Sequence, residues 1–101
     1  MKVEAGEHED ETGTFWFDPN DRIYEDHFPG HPIVPGSMIV HAFLLAGKKH
    51  RLSRSSSTIE NFRFKRFISP GEYGYRIGVK GEELKCTLYD GSSVVATGTL
   101  R

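Results

Sequence analysis

The stretch His27-Phe28-Pro29-Gly30-His31-Pro32-Ile33-Val34-Pro35-Gly36, followed by Ser37-Met38-Ile39-Val40-His41-Ala42-Phe43-Leu44-Leu45-Ala46, decides how the 101-residue chain is read. Three prolines and two glycines in ten residues rule out regular structure over 22–36 and hold the backbone to one path. Ser37 is the expected N-cap of the helix that follows. Between Met38 and Ala46 that helix is apolar all round except at His41, so burial on every side is expected. Lys48, Lys49, His50 and Arg51 then place cations where they complement the last-turn dipole. A rigid loop that delivers a histidine beside a helix N-terminus suits acyl chemistry. The helix end offers free N–H groups to an oxygen gaining negative charge, and an imidazole can act as a base near neutral pH.

Outward from this centre the chain reads as strands. Residues Lys2 to about Phe17 alternate loosely and end in Thr14-Phe15-Trp16-Phe17, before the turn residues Asp18-Pro19-Asn20-Asp21. After a Ser-rich loop over 51–57, Thr58 to Ile68 carries Phe62, Phe64 and Phe67, whose change of phase predicts a bulge near Arg66. Ser69-Pro70-Gly71 turns the chain. Tyr73, Tyr75, Ile77 and Val79 then alternate with smaller or polar residues. Leu84, Cys86 and Leu88 share a face, Asp90-Gly91 signals a hairpin, and Val94, Ala96, Gly98 and Leu100 share a face on return. The expectation is a single α+β domain over 1–101, a curved antiparallel sheet wrapped around one central buried helix.

Composition narrows the function. The chain is 37% hydrophobic and 27% charged, and no apolar run approaches the roughly 18–20 residues of a membrane span. The acidic start, without an apolar segment, predicts no signal peptide. The single Cys86 has no internal disulfide partner and falls in a strand pattern, as a packed thiol would. These features point to the cytoplasm. Charge is segregated: residues 1–26 hold two basic side chains against nine carboxylates, and residues 27–66 hold seven against Glu60 alone. The basic middle is either a solvated face or a docking surface for an acidic or phosphate-bearing partner. His27 and His31 are four apart, but Pro29 and Gly30 prevent the helix that would align them, and no Cys or acid stands at a fitting interval, so no metal is indicated. The acidic first quarter argues against nucleic acid, and no Gly-rich strand–helix turn suggests a dinucleotide. No cofactor is expected.

The run HFPGHPIVPG before a hydrophobic helix resembles the signature of the bacterial 3-hydroxyacyl-acyl carrier protein dehydratases, HFPG-x-P-x-x-PG. The later run Arg63-Phe64-Lys65-Arg66-Phe67-Ile68-Ser69-Pro70-Gly71-Glu72 is similar to that family's third strand and its Pro-Gly-acid turn. The resemblance covers about residues 12–100 and implies a hot-dog fold. It implies elimination of water from a (3R)-3-hydroxyacyl thioester to give a trans-2-enoyl thioester, in fatty-acid, lipid A or polyketide-type synthesis. By the same resemblance, His27 is the catalytic histidine and Gly36 supplies an amide to the thioester carbonyl, with Phe28 and Pro35 beside the substrate. His31 falls at a position the family varies. The family's second catalytic residue, a helix carboxylate fourteen positions after the histidine, is here His41, a departure that puts the usual acid/base pair in doubt. An imidazole there can donate a proton only as imidazolium.

The resemblance further implies a homodimer, or a higher oligomer, with sheets joined edge to edge and each site shared between subunits. An acidic carrier protein, or coenzyme A, would bring the substrate, with Lys48, Lys49, Arg63, Lys65 and Arg66 as docking contacts. Because His41 stands where the carboxylate would be, a non-catalytic acyl-binding or assembly module is the alternative. A thioesterase ranks third, since it too needs a helix carboxylate to activate water.

Overall fold

The computed structural model describes residues 10–26, 30–49 and 58–101. Strand β1 (Glu11–Phe17) is followed by the one-turn helix α1 (Ile23–Asp26) and by α2 (Gly36–Lys49). Strands β2 (Ile59–Phe64), β3 (Gly71–Lys80), β4 (Glu83–Asp90) and β5 (Ser93–Leu100) complete the fold. All pairings are antiparallel, and the strand order is β1-β3-β4-β5-β2.

The register places Tyr75 opposite Leu88, Ile77 opposite Cys86, and Leu88 opposite Ala96, so alternating residues of three strands share one face. That face carries Phe17, Tyr73, Ile77, Leu84, Cys86, Leu88 and Leu100, all buried, and packs on Ile39, Phe43 and Ala46 of α2. Phe43 is fully buried. Its ring meets Phe15 edge-on at 5.0 Å, Tyr75 at 6.0 Å and Phe62 at 6.1 Å. Asp10 ties the start of β1 to β3 through Arg76 (2.7 Å) and the Val79 amide (3.4 Å). The architecture is the expected one, a curved antiparallel sheet around a central helix.

Four local expectations are corrected. A turn of helix, α1, interrupts the segment read as irregular: the Asp21 carboxylate accepts the Ile23 N–H (3.0 Å) and its carbonyl accepts the Tyr24 N–H (3.1 Å). The irregularity of β2 lies between Glu60 and Arg63, not near Arg66. Asn61 takes a left-handed φ of 55°, which turns Phe62 inward over Gly98. A Cβ on Gly98 would stand 2.3 Å from that ring, so glycine makes the room. A shift between Leu88 and Tyr89 puts Val95, rather than Val94, in the core. Finally, α2 is not covered all round. Ser37, His41, Leu45 and Lys48 form an exposed stripe, with Leu45 53% exposed, because one sheet covers only one side of a helix.

Candidate active site

The site is built around the start of α2. Proline 35 ends the rigid segment, and its carbonyl accepts N–H groups from Met38 (3.0 Å) and Ile39 (3.3 Å). Pro35 is therefore the N-cap, and Ser37, expected in that role, stands exposed in the first turn. The amides of Gly36 and Ser37 are left at the helix tip, where the dipole is positive and no acidic side chain of the first turn offsets it. The approach to the tip is braced by the buried Val34, whose N–H donates to the Ile68 carbonyl at 2.9 Å. The Pro-Gly-acid turn region after β2 thus holds the proline segment in place.

Gly36 is small for a reason the structure makes explicit. A Cβ there would lie 3.0 Å from the Phe64 ring, which closes over the tip from β2. Phe64 stacks in turn on Phe62, with ring centroids 6.3 Å apart. The aromatic residues of β2 therefore link the helix tip to the core.

The other site residues named from the sequence divide as follows. His41 lies on the exposed stripe of α2, one turn beyond Ser37 and one before Leu45. Its expected burial is corrected, since the sheet covers only the opposite side of the helix. His31 is exposed. His27 and Phe28 lie outside the described residues. Arg63, Lys65 and Arg66 are exposed, and Arg66 pairs with the Asp90 carboxylate. Arg63 lines an open groove of about 380 Å³ with Lys85, Thr87, Thr97 and Thr99 on the outer face of the sheet. Lys48 is exposed at the far end of α2, about 18 Å of helix from Gly36. The Lys49 side chain lies outside the described residues. Cys86 is buried in the core, and desolvation pushes its pKa up to about 12, which leaves an inert thiol. Among the described residues, no three His, Cys, Asp or Glu side chains gather as a metal site. No helix among them is long and apolar enough to cross a membrane.

The arrangement is an uncompensated helix tip at the end of a proline-fixed segment, closed by an aromatic ring and set beside an apolar core. Such a tip is suited to an oxygen that carries or gains negative charge. Residues 3–93 match the family model described as ApeI dehydratase, of the ApeI-like group. The chain belongs to the ApeI-like dehydratase family. Curated relatives agree with that membership. One from Wolbachia pipientis subsp. Culex pipiens (strain wPip), named 3-hydroxyacyl-[acyl-carrier-protein] dehydratase FabZ, is 32% identical over 97 residues, covering 80% of this chain and 66% of its own. One of the same name from Caldicellulosiruptor saccharolyticus is 32% identical over 95 residues, covering 80% and 68%. The chain thus spans about two thirds of the length of these relatives.

Among solved structures, the dehydratase heterocomplex ApeI:P from Xenorhabdus doucetiae aligns with a TM-score of 0.78 at 19% identity, covering 91% of this chain and 85% of its own. A variant of the fluoroacetyl-CoA-specific thioesterase FlK aligns at 0.57 and 16% identity, covering 98% and 84%. These likenesses establish the hot-dog fold for this ApeI-like chain. Dehydratase and thioesterase share that fold, so the fold alone does not choose the reaction.

Proposed function

We propose that this ApeI-like chain dehydrates (3R)-3-hydroxyacyl thioesters to trans-2-enoyl thioesters, in fatty-acid, lipid A or polyketide-type synthesis. The observation that carries the reading is the coincidence of HFPGHPIVPG with a helix tip whose first amides, at Gly36 and Ser37, carry no compensating acid. The Gly36 N–H receives the thioester carbonyl and stabilises the charge that builds on its oxygen when C2 loses a proton. His27 takes that proton. The electron pair of the broken C2–H bond forms the C2=C3 bond as C3–O breaks, and the imidazolium returns the proton to the departing hydroxyl as water. His41 offers a second imidazole where the family has a carboxylate.

The substrate arrives on an acidic carrier protein or coenzyme A, with Arg63, Lys65 and Arg66 in and after β2 and Lys48 and Lys49 at the end of α2 as the docking cations. The protein works in the cytoplasm as a homodimer. An exposed helix stripe with Leu45, and the edge strand β2 with Ile59 and Phe64 at 47% and 41% exposure, support that assembly. A monodisperse monomer on sedimentation at micromolar concentration would exclude it.

The decisive experiment is turnover of 3-hydroxyacyl thioesters of several chain lengths by wild type and His27→Ala. Wild-type elimination that His27→Ala abolishes is the expected result. Equal inertness of both proteins, with acyl binding retained, would establish the second reading, a non-catalytic acyl-binding or assembly module. That reading draws on one observation: α2 carries no carboxylate at all.

A further inference from the structure

The outer face of the sheet, on the side away from α2, gathers polar side chains that the helix tip does not use. Thr87, Thr97 and Arg63 stand directly opposite one another on β4, β5 and β2. Two residues along the same face, Lys85 stands opposite Thr99. Neighbouring strands lie about 4.8 Å apart, so three strands bring these side chains together across about 10 Å. With Asn61 they line the open groove of about 380 Å³.

The groove is a set of donors. None of its lining residues is acidic, and each of these six side chains can give a hydrogen bond. Lys85 donates to the Thr99 hydroxyl at 3.3 Å; an ammonium has no acceptor, so Thr99 accepts and keeps its own O–H to donate. Thr99 is also the buried polar residue among those described, at 6% exposure.

The charges point the same way. Four of the described arginines lie in or beside the sheet. Arg66 meets Asp90, Arg76 meets Asp10 at 2.7 Å, and Arg101 meets Glu83 at 2.6 Å. Lys85 shares Glu83 at 3.1 Å, and Arg101 also reaches Glu60 at 3.4 Å. Among the described residues, Arg63 has no carboxylate partner. Arg63, Lys85 and Arg101 thus face Glu60 and Glu83, and the unmatched cation lines the groove.

We propose that this groove binds a phosphate monoester. The Arg63 guanidinium takes two of its oxygens as a fork, and Lys85 with the hydroxyls of Thr87, Thr97 and Thr99 holds the third and the remaining charge. A carboxylate, with two oxygens and one charge, uses only part of this set. Side chains alternate along β2, so Arg63 faces away from the helix tip that Phe64 covers. The site therefore goes beyond the dehydratase reading, and its test involves no turnover.

The test is titration of the isotope-labelled protein with inorganic phosphate, followed by amide shifts, with acetate at equal ionic strength as the planar control. Phosphate should move the amides of Thr87, Thr97 and Thr99, and acetate should not. Arg63→Gln should weaken phosphate binding about tenfold and Thr97→Val about threefold, with urea midpoints unchanged for both exposed changes. Arg66→Gln, which removes an equal charge outside the groove, should change it less than about twofold. Coenzyme A and dephospho-coenzyme A differ by one phosphate monoester and separate the sources. Tighter binding of coenzyme A that Arg63→Gln equalises supports a nucleotide-borne phosphate, and equal binding of the two beside a phosphate response supports the free anion. Phosphate that leaves the groove amides unmoved overturns the proposal, as does an equal response to acetate. Equal weakening by Arg63→Gln and Arg66→Gln also overturns it, since that marks diffuse surface charge.

Discussion

The two sides of α2 are drawn from one short run of sequence and meet different surroundings. Ile39, Phe43 and Ala46 face the sheet and are buried, whereas Ser37, His41, Leu45 and Lys48 face away and are exposed. Leu45 is as apolar as Ile39, so hydrophobicity alone does not say which side of a helix a fold will cover. The sheet side carries stability. The open side carries His41 and the 53% exposed Leu45, and the proposed function assigns chemistry and assembly to it.

The sharpest way to break this contrast is a pair of truncations. Phe43→Ala removes a fully buried ring that touches three others, and a loss of about 3–5 kcal/mol is expected, read as a collapsed urea midpoint. Leu45→Ala should cost well under about 1 kcal/mol in dilute monomer and instead weaken subunit association. Equal losses at both positions would mean that α2 is covered on both sides. Next in size is Gly98→Ala, which drives a Cβ into the Phe62 ring and should cost about 1–3 kcal/mol in the same titration.

On the open side, the proposed mechanism implies that His41→Glu pairs the catalytic histidine with a carboxylate. It should raise turnover by roughly tenfold or shift the pH optimum, since acid–base groups contribute about 10²–10⁴-fold in full. Stability should move by less than about 0.5 kcal/mol, the range of an exposed substitution. The smallest effect belongs to Cys86 on the sheet side. The folded state holds its thiol proton up to about pH 12, while the unfolded chain releases it from about pH 9. Stability from this group is therefore complete below pH 9 and is lost as pH rises toward 12. Cys86→Ala should flatten the alkaline limb by about 1 kcal/mol at pH 10, measured as urea midpoints at pH 7, 9 and 10.

Much of the site could be read directly. The Pro-Gly spacing over 29–36 located the helix start within two residues, Pro35 capping where Ser37 was expected, and the same motif points to the family by itself. The turn of helix that buries Tyr24 could not be found that way. It depends on the Asp21 carboxylate and carbonyl closing on the Ile23 and Tyr24 amides, which a segment read as irregular does not announce. The basic residues were legible as a charged stretch, but only the fold puts Lys48 in the last turn of α2 and Arg63 in a groove on the outer face of the sheet.

What the chain determined alone was whatever depends on local period and local stereochemistry. The alternation of Tyr73, Tyr75 and Ile77 and the Asp90-Gly91 turn each repeat or constrain within a few residues, and both appear in the fold as expected. The tertiary structure decided phase and coverage. Asn61 turns Phe62 inward because β2 must meet both Gly98 and Phe43, and Val95 replaces Val94 in the core because the ladder slips at Leu88. One side of α2 stays open because a single sheet has one face to offer. A bulge exists only relative to a partner strand, and burial only relative to what lies opposite, so neither is written in the spacing of one segment.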